Sequence, residues 1–239
     1  MTVSSAMVFA AGLGTRMRPI TDTLPKPLVE IAGRTMLDRM LDRLGEAGVQ
    51  RAVVNVHHLA DMIEAQLRRR GGHPAITVSD ERDRLLDQGG GIVKALPLLG
   101  PGAFLICNTD ALWLEEGDSS IARMMAAWDP ARMDVLLMVA DTAGAVGVDW
   151  PGDFAMAPDG RLIRRQEGEV TPFVYAGVGI IKPELFAGMA EPVFRLAPFF
   201  FRAASEGRLF GSRLEGTWLH VGTPAAIAEA EEALADSGR

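Results

Sequence analysis

The chain contains a single cysteine, Cys107, among its 239 residues. One thiol cannot form a disulfide within the chain, and it cannot supply the several thiolates of a cysteine-rich zinc site. Such a composition is typical of a reducing compartment, so we expect a cytoplasmic location. Basic residues are also fewer than acidic ones: the chain has 24 Lys and Arg but 31 Asp and Glu, so its net charge is −7. Such a charge repels polyanions, so we expect neither nucleic acid nor an anionic membrane as a partner.

The sequence also lacks long hydrophobic runs, low-complexity tracts and internal repeats. Its apolar N-terminal stretch, residues 1–11, has no basic segment and is too short to span a bilayer, so we interpret it as a strand rather than a signal peptide. The whole chain is 48% hydrophobic and 23% charged, which is ordinary for a folded globular protein. Since no linker interrupts it, we predict a single domain, residues 1–239, whose character changes near residue 140.

Strands and helices alternate through the first 110 residues. Apolar runs predict four strands, over residues 6–10, 51–56, 75–79 and 104–107. Apolar residues at helical spacing predict helices over residues 35–48 and 59–70, and a short helix over 92–96 follows three glycines. Repeated strand–helix units with short connections indicate an α/β fold with a doubly wound, mostly parallel sheet.

The second half has a mixed pattern. Apolar runs predict strands over residues 134–140, 161–163, 173–181, 209–210 and 218–221. Helices are predicted over residues 195–206 and 224–234, whereas residues 144–168 are rich in Gly, Asp and Pro. We therefore expect a small mixed lobe that extends the same sheet.

A glycine-rich loop follows the first predicted strand, in the segment AAGLGTRMRPITDTLPKPLV, residues 10–29. Gly12 and Gly14 allow the backbone amides to approach a phosphate closely, and Arg16 offers a planar fork of donors. Lys26 is held between two prolines, so its ammonium is carried on a stiff turn. The third glycine of a dinucleotide-binding fingerprint is missing, which argues against an oxidoreductase, and there is no Walker motif.

This loop resembles the signature G-x-G-[ST]-R-[ML]-x-P-x-T…P-K-P of sugar-1-phosphate nucleotidyltransferases, and the similarity continues in order along the chain. Three further features resemble the uridylyltransferases of that family that act on N-acetylmuramate 1-phosphate in cell-wall recycling. They are QGGGIVKALPLLG (88–100), GDF (152–154) and FRLAP (194–198).

The resemblance implies a Rossmann-like nucleotidyltransferase fold, with a nucleotide-binding half (1–140) and a sugar-binding elaboration (141–239). It implies two small-molecule partners, a nucleoside triphosphate and a sugar 1-phosphate. UMP would pass from UTP to N-acetylmuramate 1-phosphate, giving a UDP-sugar and pyrophosphate. The alternatives are a mannose-1-phosphate guanylyltransferase, another sugar- or choline-phosphate nucleotidyltransferase, or a catalytically impaired nucleotide-binding regulator. The sequence does not indicate an oligomeric state.

The resemblance also assigns roles to individual residues. Three are expected to be catalytic: Arg16, Lys26 and Asp110. The expected nucleotide-binding residues are Ala11, Gly12, Leu13, Gly14, Lys26, Gln88, Gly89 and Gly90. The expected sugar contacts are Asn108, Asp153, Glu167 and Gly177.

The resemblance implies a Mg²⁺ ion, with Asp110 as a ligand. The second candidate ligand is His220, which marks a departure: the family usually has W-x-D-V-G-T, whose aspartate gives the second metal ligand, where this chain has WLHVGT. Mg²⁺ prefers oxygen ligands, and imidazole is a poor one. Three readings stay open: Asp110, phosphates and waters hold the metal; the site prefers Mn²⁺ or another softer ion; or His220 contacts phosphate.

Overall fold

The computed structural model describes residues 3–189 and 192–237. The strands are β1 (Ser5–Phe9), β2 (Glu30–Ile31), β3 (Arg34–Thr35), β4 (Arg51–Val56), β5 (Ala75–Asp80), β6 (Phe104–Asn108), β7 (Ala111–Glu115), β8 (Val135–Asp141), β9 (Phe154–Met156), β10 (Leu162–Arg164), β11 (Phe173–Ile181), β12 (Leu209–Arg213) and β13 (Gly216–His220). The α-helices are α1 (Met36–Glu46), α2 (Ala60–Arg69), α3 (Asp87–Leu99), α4 (Ser120–Ala127), α5 (Ala197–Ser205) and α6 (Ala225–Ser237).

The centre of the main sheet is parallel. Strand β1 lies between β4 and β6 and is parallel to both, and β5 extends the sheet beyond β4. On the other side, β11 runs antiparallel to β6 and to β8, and β12 pairs with β8 in parallel. The β9–β10 hairpin joins β11 through Phe173 and Phe154. The predicted α/β class with a parallel-rich sheet is thus confirmed, and strands from before and after residue 140 share one sheet.

Helices cover both faces of this sheet because each buries an apolar stripe against it. On one face, Leu41 of α1 and Ile63 of α2 belong to the same buried cluster as Val54 of β4. On the other face, Ile92 of α3 and Phe200 of α5 pack in a cluster with Met7 of β1. The sheet is therefore doubly wound, as predicted.

Three parts of the first half differ from the sequence prediction, and the first is the short β2–β3 pair, which was not predicted. Helix α3 begins at Asp87 instead of residue 92, so Gly89, Gly90 and Gly91 lie inside its first turns. Glycine disfavours a helix interior, which is why the pattern alone suggested a turn there. Strand β7 and helix α4 were not predicted, although β7 pairs with β13 to form a small second sheet.

Within the described residues, the helices are too short or too polar to cross a membrane.

Asp134 connects three strands of the second half. Its carboxylate accepts hydrogen bonds from Lys182 Nζ and Arg208 Nε, both at 2.8 Å. Lys182 follows β11, Arg208 precedes β12, and Asp134 itself precedes β8. Burial acts to raise the pKa of Asp134, but the two cationic donors outweigh it and lower that pKa below its ordinary value of 3.8.

We predict that Asp134→Asn lowers the free energy of unfolding by about 1–3 kcal/mol at pH 7, since it removes charge-assisted hydrogen bonds. The carboxylate's contribution is present above its ordinary pKa and is lost as pH falls through its lowered folded pKa. Chemical denaturation of the wild type and of Asp134→Asn should therefore give free energies of unfolding whose difference becomes smaller below pH 3.8. Asp159→Asn, which breaks an exposed pair with Arg161, is the control and should cost less than about 0.5 kcal/mol. Equal losses for the two variants, or a difference that does not narrow, would contradict this account.

Candidate active site

A cavity of about 700 Å³ opens at the carboxyl ends of β1 and β6. This is the edge at which open α/β sheets bind ligands, because loops from several strands diverge there. Most of the predicted site residues line it: Ala11, Gly12, Gly14, Arg16, Lys26, Gln88, Asn108, Asp110, Asp153, Gly177 and His220. Four predicted residues lie elsewhere: Leu13, Gly89, Gly90 and Glu167.

The two glycines of the loop after β1 have different structural tasks. Gly14 adopts a φ of 63°, and a Cβ there would lie 2.9 Å from Cγ2 of Thr21. Its carbonyl oxygen accepts hydrogen bonds from the Met17 N–H and the Thr21 hydroxyl, both at 2.8 Å. Gly12, in contrast, has no atom within 4 Å of the position of a Cβ. Gly14 therefore folds the loop, whereas Gly12 leaves open space beside its backbone for a ligand.

Lys26 and Asp110 form an ion pair in the cavity. The Lys26 Nζ donates to Asp110 Oδ2 at 2.6 Å, and the two side chains are only 13% and 22% exposed. Lys26 lies in a short 3-10 turn flanked by Pro25 and Pro27, and Asp110 follows β6. Burial acts to raise the pKa of Asp110, but Lys26, with smaller effects from His220 and Arg16, lowers it overall. Asp110 is consequently a carboxylate at neutral pH.

Arg16 and His220 lie close together beside Gly222, and both act electrostatically on Asp110. A Cβ at Gly222 would lie 2.6 Å from His220 Nε2 and 3.1 Å from Arg16 Nη1. The His220 ring lies against those of Trp150 and Trp218, each with a centroid distance of 5.5 Å. Its pKa is lowered by burial first and then by the charges of Lys26 and Arg16, although Asp110 opposes them. The His220 imidazole is therefore uncharged at pH 7.

A further part of the cavity lining comes from β6, β11 and the start of α3. The Gln88 side-chain amide donates to Asn108 Oδ1 at 2.9 Å. The Asp153 carboxylate accepts from the Tyr175 backbone N–H at 2.9 Å, beside the register shift of β11. Gly177 has a φ of 83°, and a Cβ there would lie 2.6 Å from the Cβ of Ala111. Close packing on β7 therefore already requires this glycine.

The four remaining predicted residues have other surroundings. Leu13 is 43% exposed and does not line the cavity. Glu167 is exposed in a turn after β10. The Gly89 N–H donates to the Phe194 carbonyl at 3.0 Å, and a Cβ at Gly90 would lie 2.1 Å from the Pro192 carbonyl oxygen. Both glycines thus accommodate residues 192–194 rather than facing the cavity.

Sequence reasoning missed two aromatic residues of the cavity wall, Trp150 and Tyr175. Burial raises the pKa of Tyr175, so its hydroxyl remains protonated and can donate a hydrogen bond. Tyr175 lies two residues before Gly177 on β11, and that spacing could have indicated it. Trp150 lies in an irregular segment that carries no comparable signal.

The whole arrangement matches a known family. The model of the MobA-like NTP transferase domain matches residues 6–233. The chain belongs to this family. N-acetylmuramate alpha-1-phosphate uridylyltransferases of Caulobacter vibrioides and Neisseria meningitidis serogroup B are similar to it, with 48% identity (97% of each chain) and 36% identity (95% of this chain, 96% of the relative). A more distant relative is the mannose-1-phosphate guanylyltransferase catalytic subunit beta of Xenopus tropicalis, 24% identical over 92% of this chain and 61% of that protein. The predicted sugar-1-phosphate nucleotidyltransferase family is therefore confirmed.

Two solved structures support the same fold. UDP-glucose pyrophosphorylase complexed with UDP-glucose superposes with a TM-score of 0.78 at 15% identity, over 98% of this chain and 99% of the other. HddC from Yersinia pseudotuberculosis, complexed with GMP-PN, gives a TM-score of 0.75 at 19% identity, over 98% and 100%. At these identities the likeness concerns the fold alone.

The contrast between the two loop glycines gives a prediction for this NTP transferase. Gly14→Ala should lower the free energy of unfolding by about 1–3 kcal/mol, because alanine is strained at that φ and meets Thr21. Gly12→Ala should change stability by less than about 0.5 kcal/mol but weaken nucleoside triphosphate binding at least about tenfold, since the methyl group fills the space beside the amides. Thermal denaturation and titration calorimetry measure the two effects. Unchanged triphosphate affinity in Gly12→Ala would contradict the assignment.

Proposed function

We propose that this chain transfers UMP from UTP to N-acetylmuramate α-1-phosphate, giving UDP-N-acetylmuramate and pyrophosphate. The observation that carries the proposal is the 48% identity to a uridylyltransferase with that substrate over 97% of both chains. The ionised pair of Lys26 and Asp110 supports an active enzyme rather than an impaired nucleotide-binding regulator. The single cysteine, buried and unpaired, supports the expectation that the enzyme works in the cytoplasm.

The loop after β1 holds the triphosphate in this mechanism. Backbone amides from Ala11 to Gly14 donate to phosphate oxygens, and the open space at Gly12 lets those oxygens approach. Arg16 lies in the same wall and neutralises the charge that develops on the leaving pyrophosphate. Such a transfer needs mainly positioning and charge stabilisation, so the cavity requires no side-chain nucleophile.

Lys26 stabilises the charge at the reacting centre. A phosphate oxygen of the sugar 1-phosphate attacks the α-phosphorus of UTP, and the bond from that phosphorus to the bridging oxygen breaks. The leaving electron pair stays with pyrophosphate. In the free enzyme Lys26 is paired with Asp110, so its ammonium is already held in the cavity and little side-chain entropy is lost when phosphate binds.

Mg²⁺ fits a site built on Asp110. No group of three potential ligand side chains occurs in residues 3–189 and 192–237, so phosphate oxygens and waters would have to supply the other ligands, as is usual for Mg²⁺. When bound, the metal would neutralise phosphate charge. We propose that Asp110 is its protein ligand and that His220, whose imidazole suits Mg²⁺ poorly, lies beside it; Mn²⁺ remains the alternative ion.

The cavity lining outside the loop selects the two substrates. We assign Gln88 and the start of α3 to the uracil base, with Gly89 and Gly90 acting through the segment 192–194 that packs on them. Asn108 and Asp153 face the sugar, together with Tyr175, which can donate from a neutral hydroxyl. The aromatic face of Trp150 gives a sugar ring an apolar surface.

The decisive experiment measures pyrophosphate release with matched substrate pairs. UTP with N-acetylmuramate α-1-phosphate should be turned over at least about 100-fold more efficiently, in kcat/KM, than GTP with mannose 1-phosphate, since a site that hydrogen-bonds one substrate's groups rejects analogues lacking them. Each pair is run with Mg²⁺, with Mn²⁺ and with EDTA, and chelation should abolish turnover.

Other outcomes have definite meanings. Preference for GTP with mannose 1-phosphate would replace the proposal by the guanylyltransferase function of the more distant relatives. Nucleotide binding without turnover of any pair would favour a regulator. Undiminished activity in EDTA would refute the metal assignment.

A further inference from the structure

A buried amide–carboxylate pair lies behind the phosphate loop, outside the cavity lining. Asn55 is 3% exposed and Glu81 is 1% exposed. The Asn55 Nδ2 donates to Glu81 Oε1 at 2.8 Å. Asn55 belongs to β4, and Glu81 directly follows β5. Burying a carboxylate costs free energy unless it is hydrogen-bonded, so the groups that donate to Glu81 indicate which segments it holds in place.

Asn55 connects this pair to the start of the phosphate loop. Its Oδ1 accepts a hydrogen bond from the Ala10 backbone N–H at 2.8 Å. Ala10 is the first residue after β1, where the ladder with β4 has ended and the chain turns toward Gly12. The side chain of Asn55 thus continues the strand pairing by one residue and fixes the direction in which the loop leaves the sheet.

Glu81 connects the same pair to the start of α3. Its Oε2 accepts from the Leu86 backbone N–H at 3.3 Å, and Leu86 immediately precedes the helix. A Cβ at Gly91 would lie 2.8 Å from Glu81 Oε1 and 3.1 Å from Asn55 Nδ2, so the glycine allows α3 to pack on the pair. Asn55 and Glu81 therefore form a bridge from the loop to the segment that carries Gln88.

The hydrogen bonds to Glu81 come from two N–H donors. Burial raises the pKa of Glu81 above its ordinary value, although the hydrogen bonds from Asn55 and Leu86 and the charges of Lys94 and His57 oppose that rise. Both of its oxygens accept from an N–H group. A glutamine at position 81 would place its own N–H group against the N–H of Asn55 or of Leu86. Two donors that face each other without an acceptor are unfavourable, so this substitution should disrupt the pair.

We propose that Asn55 and Glu81 are positioning residues for the triphosphate: their hydrogen-bonded pair sets the phosphate loop at Ala10 against the first turn of α3. This inference rests on the proposed function for the identity of the nucleotide. This role differs from a purely structural one. If the pair only stabilised the fold, its disruption would lower stability without selectively changing the affinity for one substrate.

The test reverses the pair. Glu81→Gln places an amide donor against a donor, and Asn55→Asp places two carboxylates together. The double variant Asn55→Asp/Glu81→Gln restores complementarity with unchanged net charge: the new carboxylate accepts from Ala10 and from the new amide, whose oxygen accepts from Leu86. Gln66→Glu is the matched control, since it sets a second carboxylate against Asp38 in another hydrogen-bonded pair, away from the cavity.

We expect each single variant to weaken UTP binding at least about tenfold by titration calorimetry, and the double variant to return within about threefold of wild type. The KM for the sugar 1-phosphate should change less than about threefold throughout. Gln66→Glu should lower the melting temperature without changing UTP affinity.

Three results would overturn the proposal: folded single variants with wild-type UTP affinity, a double variant as weak as the singles, or equal effects on both substrates. If the wild-type protein prefers another triphosphate, the proposed function fails, while the same comparison with that triphosphate still decides this inference.

Discussion

The ion pair between Lys26 and Asp110 joins the two segments on which the candidate active site depends. Lys26 comes from the loop after β1 and Asp110 from the end of β6, and the two strands are neighbours in the sheet. Removing one partner would leave a poorly solvated charge, so the pair holds the loop over the strand end before substrate arrives. In the proposed reaction the two residues have different roles: the Lys26 ammonium would contact phosphate, and the Asp110 carboxylate would bind the metal.

Glycines decide how closely the other segments approach this pair. Gly14 folds the loop, Gly177 lets β11 pack on β7, and Gly222 gives Arg16 and His220 room to converge. In α3, Gly91 makes space for the buried pair of Asn55 and Glu81. At each of these glycines, protein atoms occupy the space that a Cβ would need, whereas the space beside Gly12 is open. Close backbone packing therefore shapes the site, and the backbone at Gly12 is left accessible to a ligand.

The sequence predicted the parallel strands, the loop and the residues at strand ends because these signals are local. Lys26 and Asp110 follow from motifs beside buried strands, and the structure places them in contact. The length of α3 was not predictable from its three glycines, since Phe194 and Pro192, which pack on Gly89 and Gly90, are about 100 residues away along the chain. Glu167 was expected at the sugar but lies on an exposed turn, and Trp150 reaches the cavity from an irregular segment. The ligand roles of the site residues, the metal and the division near residue 140 stay predictions.

The most direct measurement of the central claim is the turnover of Lys26→Met, a variant of similar length without the charge. With UTP and N-acetylmuramate α-1-phosphate we predict a loss of at least about 100-fold in kcat, as expected when a group that stabilises transition-state charge is removed. Arg68→Met, which removes an exposed cation of α2 outside the cavity, should keep kcat within about twofold of wild type. A folded Lys26→Met protein with wild-type kcat would contradict the account.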